Sequence, residues 1–204
     1  MEHNNTRHII LASGSPRRRE LLASLGLSFE VLVSDADEST PPEWTPDAIV
    51  QSLALRKAEA LIPQAGDRNA LIIGSDTIVV LGGEVLGKPA DKQDSARMLR
   101  LLQGRTHQVY TGVACISLPE RVTLVDYRVT SVSMRAMSEE EISAYIATGE
   151  PADKAGSYAI QGLGATLVEA IDGCYFNVVG LPLSLLSGML SRFGISVLNG
   201  QQGS

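Results

Sequence analysis

ALIIGSDTIVVLGGEVLGKP, residues Ala70 to Pro89, is two apolar runs joined by a pair of glycines. Gly82-Gly83 has the length of a two-residue hairpin turn, whose central residues need the positive φ that glycine adopts without steric cost. The stretch therefore predicts two antiparallel strands. Its surroundings follow a different rhythm. Upstream, HIILAS reads as a strand, residues 16 to about 25 as a helix stopped by Gly26, and FEVLV as a second strand. A proline-containing acidic loop carrying Asp35, Asp37, Glu38 and Glu43 leads to a helix from about 47 to 61. Downstream, residues 91–103 form an amphipathic helix ended by Gly104, and HQVYTGVACISL and RVTLVDYRVTSVSM are long β-like runs. Ser138 to Glu141 is a capping box for a helix that stops at Gly149. ATLVEAIDGCYFNVV reads as a second hairpin with Asp172-Gly173 at its tip, and residues 182–193 as a closing helix. Hairpins interleaved with strand–helix alternation predict a mixed α/β fold and not a purely parallel, doubly wound one.

A chain of 204 residues with 44% hydrophobic residues can bury a sizeable core, and we expect a single domain over 1–198 followed by a polar, frayed tail over 199–204. No segment reaches the length of a membrane span, and the first apolar run is too short for a secretion signal, so the expected compartment is the cytoplasm, away from the membrane. Cys115 and Cys174 are too few for a disulfide framework or a zinc site, and His3, His8 and His107 form no ligand-spaced pair. A net charge of −6 argues against a nucleic-acid partner, so any anion must be held by a local basic cluster.

Such a cluster exists in LASGSPRRRELL. Ser15 suits an N-cap and Pro16 the first helical position, yet Arg17, Arg18 and Arg19 then fill the first turn, where the helix dipole disfavours cations by roughly 0.3–1 kcal/mol each. A bound anion would resolve the conflict; a solvated basic turn with its side chains in water is the alternative. Asp76 is a second anomaly, a carboxylate between LII and IVV in what reads as a buried strand, where an unpaired charge is very costly. It is a metal ligand or general base, or else a structural Asp capping a bulge beside Gly74. Thr77 would face the opposite side unless the backbone bulges. Lys88 in GKP and Lys154 in DKAG suit phosphate oxygens, or are plain solvated lysines. Gln161, between small residues in SYAIQGLGA, can offer a donor and an acceptor side by side to a uracil or thymine edge, or is a turn glutamine. There is no Walker A motif, no GxSxG and no complete GxGxxG.

Taken together, LASGSPRRRELL, IIGSDTIVVLGGEVLGKP, LQGRTHQVYTGVA and DKAGSYAIQGLGATLVEAIDGCYFNVVGLP resemble the Maf family of nucleoside triphosphate pyrophosphatases, in the same order and at similar spacing. The resemblance implies an elongated mixed α/β fold, two lobes around a cleft, similar to the inosine triphosphate pyrophosphatases. It implies cleavage between the α and β phosphates with a divalent cation, Mg²⁺ or Mn²⁺, and a homodimer. SYAIQG resembles the branch acting on dTTP and UTP, with Ala159 where glycine is usual. By this resemblance Asp76 is the proton acceptor and Arg17, Thr77 and Gln161 set specificity. Ser13, Arg18, Glu38, Lys57, Lys88 and Lys154 surround triphosphate and metal, with Glu38 and Asp76 as the metal carboxylates. Two other classes fit some of the same residues. A non-catalytic nucleotide- or partner-binding protein of septum formation would use the arginines but leave Asp76 and Gln161 idle, and a kinase or nucleotidyl transferase would need a second substrate site.

Overall fold

The computed structural model describes residues 7–66 and 68–198, so the polar tail expected from Asn199 lies outside the described residues. Strand β1 (His8–Ala12) leads into α1 (Pro16–Ala23), β2 (Phe29–Leu32), α2 (Pro46–Glu59) and the single turn α3 (Ile62–Ala65). β3 (Ala70–Leu81) and β4 (Glu84–Leu86) come next, then α4 (Lys92–Leu102) and the long strands β5 (Thr106–Ser117) and β6 (Val122–Met134). The chain closes with α5 (Glu139–Ala147), three short 3₁₀ turns, β7 (Val168–Asp172), α6 (Tyr175–Val179) and α7 (Leu183–Arg192). The seven strands form one sheet in the order β2-β1-β3-β5-β6-β7, with β4 paired to β3. β1 runs parallel to β2 and β3, whereas β3–β4 and β6–β7 are antiparallel, so the sheet is mixed as the sequence predicts. No helix among the described residues is long and apolar enough to cross a membrane.

The chain divides into two compact units. The first comprises residues 1–76, 111–127 and 180–204, and the second 77–110 and 128–179. Each has its own core. In the first, Ile10, Ile72, Ala54, Ala58, Leu61 and Ile116 cluster where α2 lies on the strands. In the second, Met98, Leu99 and Leu102 of α4 meet Val132, Met134 and Ile142. The spacing Ser95, Met98, Leu99, Leu102 is the helical stripe read from the sequence, and its two fully buried leucines contribute about 1.5–3 kcal/mol each.

The predicted turn chemistry is present at Gly82 (φ 57°) and Gly83 (φ 89°), with Leu81 opposite Glu84. The capping box is complete, Ser138 accepting from the Glu141 N–H at 3.2 Å and Glu141 accepting from the Ser138 N–H at 2.9 Å. The second expected hairpin is not formed. β7 pairs backwards with β6, Asp172 opposite Ser131, and YFNVV is helical instead of a returning strand. The cause is tertiary. The Thr130 hydroxyl donates to the Cys174 carbonyl and accepts from its N–H, and the buried Asn177 amide donates to the Val109 carbonyl and to the Thr130 hydroxyl. These bonds turn the chain at Gly173 (φ 133°) and outweigh the β propensity of Tyr, Phe and Val.

Candidate active site

Helix α2 lies so close to the sheet that glycine is required beneath it. A Cβ on Gly74 in β3 would stand 2.1 Å from the Ala54 carbonyl oxygen, and one on Gly112 in β5 would stand 2.2 Å from that of Val50. These two approaches set the height of the helix, and Lys57, beside Ala58 in its last turn, reaches down to Asp76. Its Nζ donates to Asp76 Oδ1 at 2.6 Å. The same ammonium lies 2.8 Å from Oε1 of Glu38, on the loop after β2. One lysine thus bridges the two carboxylates that the sequence reading paired as metal ligands. The partner that a buried Asp76 demanded is Lys57, and no capping role beside Gly74 is needed to explain it.

The arginine-bearing helix start belongs to the same unit. Ser15 has extended backbone (φ −74°, ψ 118°) and accepts from the Arg18 N–H at 3.5 Å, Pro16 opens the helix, and no acidic residue occupies the first turn. The buried Ser13 hydroxyl accepts from the Ser15 N–H at 3.2 Å, fixing the entry to the cap. Arg18 is tethered: its Nε donates to the Gly180 carbonyl at 2.8 Å, an oxygen that also accepts from the buried Ser75 hydroxyl at 3.1 Å. Desolvation lowers the Arg18 pKa; Asp76 opposes that, Arg17 adds to it, and Glu38 opposes it. The partly buried Arg18 therefore senses both carboxylates, whereas Arg19 is exposed. This is more than a solvated basic turn, because Arg18 is oriented by backbone.

The remaining expected residues fall in the second unit. Thr77 follows Asp76 on β3 and is partly buried. Lys88 is exposed just after β4. Lys154 is no ordinary surface lysine: 13% exposed, it donates to the Glu150 carbonyl at 2.6 Å and to Asp153 Oδ1 at 2.7 Å. Gln161 precedes the 3₁₀ turn Gly162–Leu167, half-buried, with its side chain making no cap bond there. Two residues of consequence went unseen in the sequence. Gly112 gives no local signal apart from being a glycine in a strand. Glu150, whose carboxylate holds the segment after Gln161, lies eleven residues before it with no recognised motif between.

Among the described residues no three His, Cys, Asp or Glu side chains converge on a metal position. Glu38 and Asp76 nonetheless offer hard oxygen donors already gathered around one positive charge. Magnesium is commonly held by one or two carboxylates with water and substrate phosphates completing its shell, so this donor set suits Mg²⁺ or Mn²⁺ and not Zn²⁺.

The model of the Maf-like protein family matches residues 8–193. A protein named dTTP/UTP pyrophosphatase from Pelotomaculum thermopropionicum is 50% identical over 192 residues, covering 94% of this chain and 100% of the relative. Another of that name, from Moorella thermoacetica, is 52% identical over 189 residues, covering 93% and 96%. Among solved structures, the Staphylococcus aureus Ham1 protein aligns with a TM-score of 0.45 at 17% identity, over 63% of this chain and 72% of that one. The family match runs through both compact units and takes in every site residue named above, and the chain belongs to the Maf-like protein family.

Proposed function

We propose that this protein is a metal-dependent pyrophosphatase that hydrolyses dTTP and UTP to the nucleoside monophosphate and pyrophosphate. The observation that carries the reading is the bridged pair in the first unit: a buried Asp76 and Glu38 share the Lys57 ammonium, and the Arg18 guanidinium beside them is fixed by backbone. Two relatives at about half identity, each named dTTP/UTP pyrophosphatase, support the same activity.

The chemistry asks for a water nucleophile at Pα and for charge stabilisation on the departing pyrophosphate. A carboxylate of ordinary pKa ~4 is a weak base toward water of pKa ~16. A divalent cation, when bound at Glu38 and Asp76, supplies the Lewis acidity that makes water competent near neutral pH. Asp76 Oδ1 is engaged by Lys57, so Oδ2 is the oxygen that accepts the proton of the attacking water. Lys57 keeps Asp76 aimed. Arg18, with Nε held on Gly180, meets the phosphates through its terminal nitrogens, and Arg17 adds a second guanidinium at the helix start. The Ser13 hydroxyl fixes the turn that presents them. Lys88 and Lys154 add positive charge for phosphate oxygens. Lys154 has two of its three N–H groups fixed within the protein and one left to donate. Gln161 and Thr77 discriminate the base.

Initial rates with dTTP, UTP, CTP, ATP and GTP in Mg²⁺ or Mn²⁺ test the reading. It expects dTTP and UTP to be turned over fastest, and a dTTP:CTP rate ratio that falls by roughly tenfold in Gln161→Ala, the worth of one base-edge hydrogen bond. Faster turnover of the purine triphosphates would overturn it.

A further inference from the structure

The Gln161 amide can read a pyrimidine edge only where its main chain delivers it, so discrimination depends on what fixes the backbone around it. That backbone is held from both sides. Glu150 accepts the Gly164 N–H at 2.8 Å on Oε1 and the Leu163 N–H at 3.0 Å on Oε2. The Tyr145 hydroxyl donates to the same Oε1 at 2.8 Å, and itself accepts from the Ala159 N–H at 3.2 Å. The chain two residues before Gln161 and the chain two and three residues after it are thus joined through one carboxylate and one phenol.

The glycines fit this clamp. A Cβ on Gly162 (φ +65°) would stand 2.6 Å from Glu150 Oε2, and one on Gly164 would stand 2.5 Å from the Tyr145 hydroxyl oxygen and 2.2 Å from the Ala159 carbonyl. GLG is therefore shaped by Glu150 and Tyr145. The Glu150 main-chain carbonyl also receives the Lys154 ammonium, so one residue braces two of the expected substrate contacts of this unit, Lys154 and Gln161. Desolvation pushes the Glu150 carboxyl up, but bonds from Gly164, Tyr145 and Leu163 and the Lys154 charge outweigh it, and the group is held below the usual carboxylate range. It is a charged acceptor, whose bonds are roughly twice as strong as neutral ones.

We propose that Glu150, acting with Tyr145, is a positioning residue for base discrimination: it fixes residues 159–164 so that the Gln161 amide is delivered to the pyrimidine edge at one position. The proposal rests on the reading that Gln161 reads the base. A merely structural Glu150 would affect all substrates alike; a positioning residue acts through Gln161.

The test is a double-mutant cycle on the dTTP:CTP ratio of kcat/KM, with amide hydrogen exchange at Leu163 and Gly164 as a second readout. Glu150→Ala is expected to lower the ratio by roughly tenfold, mainly through KM, and to speed exchange at both amides. In a Gln161→Ala background it should lower the ratio no further. Glu150→Gln, which keeps an acceptor for Gly164 but turns an amide toward Leu163, should fall between wild type and Glu150→Ala. If Glu150→Ala fails to fold, Tyr145→Phe removes the hydroxyl's bonds to Glu150 and Ala159 while leaving Glu150 on Leu163 and Gly164, and should give a smaller loss in the same direction. An unchanged ratio in a folded Glu150→Ala, an unchanged ratio in Tyr145→Phe where that variant must stand in, or fully additive losses with Gln161→Ala would overturn the proposal alone. An unchanged ratio in Gln161→Ala would overturn the reading of the base on which it rests, and the proposal with it.

Discussion

Replacing Lys57 by methionine should destabilise the protein far more than an ordinary lysine substitution does. The side chains of Lys57 and Asp76 are only 14% and 11% exposed, and their charged atoms lie 2.6 Å apart. At an effective dielectric of ~20, unit charges at that distance attract by about 6 kcal/mol, most of which offsets the desolvation of the two groups. The pair as a whole therefore adds little to stability. Removing one member does not return the account to zero, because the other is left buried and ionised, at a cost of about 3–5 kcal/mol. The two halves of the pair differ. Asp76→Asn leaves the ammonium on Glu38, 2.8 Å away, whereas Lys57→Met leaves Asp76 without its hydrogen-bonded cation. We expect Lys57→Met to cost about 3–5 kcal/mol, Asp76→Asn less than half of that, and the double variant to recover at least about 1.5 kcal/mol relative to additivity. Arg100→Met, removing an exposed ion pair with Glu139 (53% and 61% exposed), should cost far less than Lys57→Met. Urea denaturation followed by circular dichroism measures all four. A Lys57→Met protein as stable as Arg100→Met would show that the buried Lys57–Asp76 contact does not carry the stability assigned to it.

Three further outcomes follow from the same structure. Gly74→Ala places a methyl 2.1 Å from the Ala54 carbonyl oxygen, so it should cost about 1–3 kcal/mol or more and, by lifting α2, lower turnover in the protein that still folds; urea titration and initial rates check both. Pyrophosphate at ~100 times its Kd should stabilise the wild type by ~2.7 kcal/mol, read as a rise in Tm. Arg17→Ala and Arg18→Ala should lose most of that rise, and exposed Arg19→Ala should keep it; Arg18→Ala should also lower the ligand-free Tm, since its bond to Gly180 is lost. His107 is buried on the Tyr158 hydroxyl, and burial lowers its pKa from 6.5 to about 4. The unfolded chain then takes up its proton below pH 6.5 and the folded one only near 4, so stability falls as pH drops through that window, by up to about 3 kcal/mol. His107→Gln should flatten the fall measured between pH 7 and 4.5.

The sequence exposes those features whose cause is local. Gly82-Gly83, the Ser138 capping box and the four-residue stripe of α4 each carry their own turn, cap or periodicity, and each stands where it is expected. Asp76 is legible as an anomaly for the same reason: a carboxylate between LII and IVV announces a partner. Which partner is not legible, because Lys57 lies nineteen residues earlier and reaches Asp76 only through the glycine-set height of α2. Tertiary bonds also decide YFNVV, where Thr130 and Asn177 turn a β-prone segment into a helix. Glu150 was silent because its task is to accept backbone N–H groups, which leave no side-chain pattern in the sequence.

Water is expected to attack Pα of a pyrimidine nucleoside triphosphate, with Asp76 taking the proton. Hydrolysis of dTTP in ¹⁸O-labelled water with Mg²⁺, followed by mass spectrometry of the products, tests it most directly. The expected products are dTMP carrying the label and unlabelled pyrophosphate, with near-complete loss of both in a folded Asp76→Asn. Products of dTDP and orthophosphate, label in the pyrophosphate, or undiminished turnover by Asp76→Asn would contradict it.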